Sequence, residues 1–116
     1  MTANQIYESG KTIAGELTKI GINLNLAPVA DLASDQNPSY AMRCLGSDAD
    51  GVADLLDDFV SGMREGGLSV TLKTFPGIGN VSADVTESIA ENTDSLMTIR
   101  DTNFVPYASG IQAGAD

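Results

Sequence analysis

The sequence predicts an α/β chain of parallel strands. Helix-period and strand-period apolar patterns alternate along it, three glycines punctuate it at near-equal spacing, and long loops follow each strand. Gly21, Gly67 and Gly114 lie 46 and 47 residues apart, each after a helical pattern and before what reads as the first residue of a strand. Strands separated by a loop and a helix run parallel with right-handed crossovers, which leaves a doubly wound sheet or a (β/α)8 barrel. Both place functional groups beyond the carboxyl ends of the strands.

Taken in order, Ile6, Ile13, Leu17 and Ile20, with Gly10 on the same line, predict a helix stopped by Gly21. Ile22, Leu24 and Leu26 alternate with Asn23 and Asn25, giving a strand with one apolar face that Ala27 and Pro28 end. Asp31 to Gly46 carries Asp, Ser, Asn and Pro without periodicity and reads as a long loop. Ser47 and Asp50 resemble a capping box ahead of a helix with a stripe of Val52, Leu55, Leu56, Phe59, Val60 and Met63. Gly66 and Gly67 end it, and Leu68, Val70 and Leu72 alternate with Ser69, Thr71 and Lys73 in a second strand. A second loop runs through Pro76, Gly77 and Gly79 to about Asp94. A helical region with Leu96, Ile99, Val105, Pro106 and Ile111 then closes at Gly114.

Composition narrows the chemistry. With 116 residues and 42% apolar content the chain fits one small domain. A net charge of −10 offers nothing to phosphate backbones or anionic lipid, so nucleic acid is not an expected partner. Histidine is absent, which removes the commonest general base and metal ligand. Chemistry must run on carboxylates, lysine, arginine, hydroxyls or the one thiol. Cys44 cannot form an internal disulfide and reads as a small buried side chain. No apolar run reaches the roughly 20 residues that span a bilayer, and Met1 to Ser9 is not patterned as a signal peptide.

Several short motifs carry little. Gly77-Ile78-Gly79-Asn80 lacks both the dinucleotide spacing and a Gly-Lys-Ser/Thr and reads as a turn. Asn80-Val81-Ser82 is a formal glycosylation sequon, relevant only in a secreting eukaryote. Asp48, Asp50, Asp54, Asp57 and Asp58 favour a helix start and solubility, and match no metal-ligand spacing; neither a metal nor a cofactor is expected.

Gly21 to Leu32, GINLNLAPVADL, resembles the third-strand signature of glycoside hydrolase family 3, Gly-Ile-Asn-Leu-Asn-Phe-Ala-Pro-Val-X-Asp. Asn37 to Asp48, NPSYAMRCLGSD, is similar to the family segment Asn-Pro-Val-Ile-Gly-Asn-Arg-Ser-Phe-Gly-X-Asp. Leu72 to Glu87, LKTFPGIGNVSADVTE, resembles Lys-His-Phe-Pro-Gly-His-Gly and the later Asp-X-His, and Phe104 to Asp116 looks like the helix and turn before the following strand. The resemblance runs through nearly the whole chain in family order. It implies that residues 1–116 are a partial N-terminal domain: a fragment of a (β/α)8 TIM-type barrel of roughly three βα units with parallel strands. A complete barrel needs about 250 residues.

The implied activity is that of a glycosidase, β-N-acetylhexosaminidase-like, cleaving terminal β-linked sugars. Its partners would be a carbohydrate substrate and the remaining strands of the parent barrel; this chain is not expected to be active alone. The resemblance implies a bacterial source and leaves cytoplasmic and secreted or cell-surface locations both open. In family members the arginine and lysine of these segments bind sugar hydroxyls, which carries over to Arg43 and Lys73; the bland reading of each is a loop-edge salt bridge. The histidine of Asp-X-His serves as general acid/base with the aspartate two residues before it, and here Asp84 and Thr86 occupy those positions. Thr74 and Ile78 replace two more family histidines. A threonine hydroxyl cannot protonate a glycosidic oxygen near neutral pH. The family's nucleophilic aspartate would lie beyond Asp116, about 5 to 5.5 Å from the acid in a retaining mechanism.

Glu87 could supply the proton if burial raised its pKa, although a solvated loop acid is the plainer reading. Asp31, at the end of the first strand, reads as a structural hydrogen-bond acceptor. Loss of the histidines supports an alternative function, a catalytically degenerate carbohydrate-binding or scaffold module. A third is an enzyme that takes its acid from a second domain.

Overall fold

The structure is a computed structural model describing residues Thr2–Ile78, Val81–Ala83 and Val85–Asp116. Helix α1, Ala3–Lys19, starts at a full capping box between Thr2 and Gln5. It ends where Gly21 takes φ +86°, a left-handed conformation open to glycine at little cost. The buried line is Ile6, Gly10 and Ala14, with Ile13 and Ile20 at the surface. The small residues face inward because α1 lies against helix α3, Ala49–Glu65, at backbone distance. A Cβ on Gly10 would overlap the Phe59 carbonyl, and one on Gly62 would overlap that of Tyr7. Large side chains at this crossing would force the helices apart.

The cap of α3 falls on Asp48 rather than Ser47, its carboxylate accepting the Gly51 N–H at 2.8 Å. The charged acceptor sits one residue nearer the helix and takes the cap. Val52, Leu56, Val60 and Met63 are buried as the stripe predicts.

Strand β1, Leu24–Asn25, pairs in parallel with β2, Ser69–Val70, with Leu24 beside Ser69 and Asn25 beside Val70. The ladder extends past both: Ser69 N–H donates to the Asn23 carbonyl, Thr71 to Asn25 and Lys73 to Pro28, and Ala30 donates to Lys73. Two residues on the first strand between Asn25 and Pro28, Leu26 and Ala27, stand against one on its partner, Leu72, the count of a β-bulge. Leu68, Val70 and Leu72 are buried as expected. The first strand differs from its alternation pattern: Ile22, Leu24 and Leu26 are exposed, and Asn25 turns toward α3, reaching the Met63 sulfur at 4.0 Å. The apolar set lies on the sheet face away from the helices, since neighbouring residues on a strand point to opposite faces.

The loop after β1 contains a short helix, α2, Pro38–Ala41, capped by the Asn37 side chain on the Tyr40 N–H and opened by Pro38 at its first position. The last helical region is two helices, α4, Leu96–Asp101, and α5, Phe104–Gln112, separated at Thr102. Helix α5 packs on α3, and its Gly110 leaves room for Leu72, which follows β2. The core joins Val52, Leu56, Val60, Met63, Leu68, Val70, Leu72 and Tyr107. Among the described residues the sheet has two strands rather than three, in an α/β arrangement.

Candidate functional site at the strand carboxyl ends

Beyond the ends of β1 and β2, a cleft of about 340 Å³ is lined by Asn37, Tyr40, Arg43, Lys73, Thr74, Ile78, Val85 and Thr86. Asn37, Tyr40 and Arg43 come from the α2 loop, Lys73 and Thr74 follow β2, and Ile78, Val85 and Thr86 belong to the second loop. Three of the four residues singled out from the sequence, Arg43, Lys73 and Thr86, therefore meet at one opening. The fourth, Asp84, lies outside the described residues. Glu87 is exposed and does not line the cleft.

Beneath the cleft sits Asp31, 2% exposed, the organising group of this end of the molecule. One carboxylate oxygen accepts the Tyr40 hydroxyl at 2.7 Å and the Thr74 N–H at 2.7 Å. The other accepts the Ile78 N–H at 3.0 Å and the Tyr107 hydroxyl at 2.8 Å. A buried carboxylate persists only when its lone pairs are filled, and here four donors from three segments fill them. Asp31 is thus the structural acceptor the sequence suggested. Its two tyrosine partners carry no sequence signal, Tyr107 being 76 residues away.

Burial first, then Thr74 and Asp31, set the Tyr40 phenol, whose pKa is pushed up to about 12; burial and the Asp31 charge push Tyr107 up as well. Both stay protonated through the physiological range and act as donors to Asp31. With its own proton committed there, Tyr40 accepts from the Thr74 hydroxyl at 2.6 Å. The Arg43 guanidinium lies 5.3 Å from the centre of the Tyr40 ring, a cation–π distance.

Among the described residues neither Arg43 nor Lys73 forms an ion pair, unlike Lys11, Lys19 and Arg64. The cleft therefore offers two cationic donors and a rim of hydroxyls and amide, suited to a neutral polyol or an anion. No cluster of metal-ligating side chains exists among the described residues, and no described helix is long and apolar enough to cross a membrane. Cys44 is half-buried, its thiol pKa raised by burial, and lies 3.6 Å from the Tyr40 carbonyl.

The family model for the glycosyl hydrolase family 3 N terminal domain matches residues 1–116. A beta-hexosaminidase of Xylella fastidiosa is 37% identical over 110 residues, which are 95% of this chain and 32% of that protein. A family 3 beta-N-acetylglucosaminidase structure from Paenibacillus sp. superposes with a TM-score of 0.92 at 30% identity, covering 99% of this chain and 22% of the other. The Beta-N-acetylhexosaminidase structure from Beutenbergia cavernae gives 0.82 at 33% identity, with 99% and 36% covered. The chain spans about a third of the length of the curated relatives it matches.

Proposed function

The chain belongs to glycosyl hydrolase family 3, and on that premise we propose that it forms one wall of the sugar site of a glycosidase that cleaves terminal β-linked N-acetylhexosamines. Residues 1–116 are a partial N-terminal domain of about three βα units of a (β/α)8 barrel, completed by further strands of the parent protein. Supporting the third unit, Asp116 N–H donates to the Val70 carbonyl at 2.8 Å and its carboxylate accepts the Val70 N–H at 3.1 Å, on the edge of β2 turned away from β1. The exposed Leu24 and Leu26 face is then the barrel interior.

The observation that carries the functional reading is the convergence of Arg43 and Lys73 on one cleft, neither with a carboxylate partner among the described residues. Both donate to sugar hydroxyls, Arg43 through a planar fork and Lys73 as a compact charge. Asp84 and Thr86 stand at the acid/base positions. With a hydroxyl in place of an imidazole, leaving-group protonation is weak, so turnover depends on how readily the aglycone leaves unprotonated. A nitrophenyl N-acetyl-β-glucosaminide, whose phenol leaves as an anion, tests the reading. The full-length protein hydrolyses it, and Arg43→Ala and Lys73→Ala each raise KM at least tenfold. Absence of hydrolysis, with sugar binding still lost in Arg43→Ala, would replace this reading by the second one that Thr86 favours, a degenerate carbohydrate-binding module.

A further inference from the structure

We infer that Tyr40 is a positioning residue that holds the Arg43 guanidinium at the mouth of the cleft, an inference that rests on Arg43 contacting sugar. Arg43 is exposed and extends from a loop, where a long cationic side chain samples many rotamers unless something restrains it. That restraint is the Tyr40 ring, whose centre lies 5.3 Å from the guanidinium carbon.

That ring is fixed from three sides. Its backbone N–H is taken by the Asn37 side chain at 3.2 Å, its hydroxyl proton goes to the buried Asp31, and its oxygen receives Thr74. Asp31 in turn is held by the Thr74 and Ile78 amides and by Tyr107 from α5. A rigid buried anchor therefore passes its order through one aromatic ring to a mobile cation. Thr74 takes part without reaching Arg43: its hydroxyl proton is spent on Tyr40, which leaves its oxygen lone pairs turned to the cleft as an acceptor for a sugar hydroxyl.

The division of labour is testable because ring and hydroxyl separate. Tyr40→Phe keeps the ring and loses the anchor bonds; Tyr40→Leu loses both. Binding of N-acetylglucosamine to the full-length protein is measured by titration for each variant, for Arg43→Ala, and for Tyr40→Leu combined with Arg43→Ala. Arg43→Ala weakens binding about tenfold or more, as expected for a charged hydrogen bond. Tyr40→Leu weakens it about fivefold, the upper range for an exposed cation–π contact. In the Arg43→Ala background Tyr40→Leu has no further effect, since a positioning residue acts only through what it positions. Tyr40→Phe, which keeps the ring but frees it from Asp31 and Thr74, falls between the parent and Tyr40→Leu. The Arg43 Nε–H resonance of the unliganded protein, shifted by the ring current, moves further in Tyr40→Leu than in Tyr40→Phe. Tyr40→Met repeats the test if Tyr40→Leu unfolds.

Losses that add, an unchanged Tyr40→Leu affinity, or a Phe variant as weak as Leu would overturn the positioning role while leaving the sugar site standing. Sugar binding that ignores Arg43→Ala, or no sugar binding at all, would remove the site reading and this inference together.

Discussion

Replacing Asp31 by alanine strips the acceptor from four donors at once. Two of them, the Tyr107 hydroxyl and the Ile78 N–H, are buried, and a buried donor left unpaired costs about 1–3 kcal/mol. The Tyr40 hydroxyl and Thr74 N–H border the cleft, where water replaces the carboxylate at smaller loss. Together these give a destabilisation of about 4 kcal/mol. Asp31→Asn keeps one acceptor oxygen. Turned so that its NH2 group meets Tyr40 and Thr74, it lets the Tyr40 oxygen reverse into an acceptor and leaves the Thr74 N–H opposed, for about 2 kcal/mol. With a urea slope of about 2 kcal/mol per molar, the unfolding midpoint falls by about 2 M for alanine and 1 M for asparagine. The assay is urea unfolding followed by tyrosine fluorescence near pH 7. An alanine variant within 1 kcal/mol of the parent, or an asparagine variant as damaged as alanine, would refute the view that Asp31 ties this end of the molecule together.

Gly62→Ala gains up to about 1 kcal/mol in helix propensity but drives its methyl into the Tyr7 carbonyl, so a net loss of about 1–2 kcal/mol is expected in thermal melts. Raising the pH through the alkaline range destabilises the fold: Tyr40 and Tyr107 have folded pKa values above the ordinary 10, so their contribution is complete below pH 10 and falls as pH climbs beyond it, that of Tyr40 being lost by about 12. The tyrosinate ultraviolet absorbance of Tyr40 and Tyr107 then rises together with unfolding rather than ahead of it, and a Tyr7→Phe background removes the third tyrosine from the signal. Thr86→His recovers part of the 100- to 10,000-fold that a general acid contributes. Hydrolysis of an alkyl N-acetylglucosaminide rises about tenfold or more, while the nitrophenyl glycoside changes by less than about threefold, and equal gains on both would contradict the protonation argument.

Much of the architecture was legible because it is written in local chemistry. Helix α3 announces itself through its apolar stripe, β2 through its alternation, and the helix ends through Gly21, Gly67 and Gly114, each at positive φ. Helix α2 was not legible: Asp31 to Gly46 reads as an aperiodic loop, because a single helical turn, capped by Asn37 and opened by Pro38, is too short to show a 3.6-residue period. The first strand misleads because alternation shows that two faces differ without showing which one meets the helices, and here the apolar set faces away from them. The same limit explains why α1 buries Gly10 and Ala14 while Ile13 stays at the surface.

By itself the sequence determined the order of α1, β1, α3 and β2, the family, and the three residues Arg43, Lys73 and Thr86 that line the cleft, because helix stops, strand periods and motif spacings act over short stretches of chain. Only the tertiary structure decided that Asp31 binds both Tyr40 and Tyr107, that Tyr40 sits under Arg43, and that Gly10 and Gly62 let two helices touch. These are contacts between segments up to 76 residues apart, settled by which donor or void lies opposite once the layers close, and no local pattern encodes what the far partner will be.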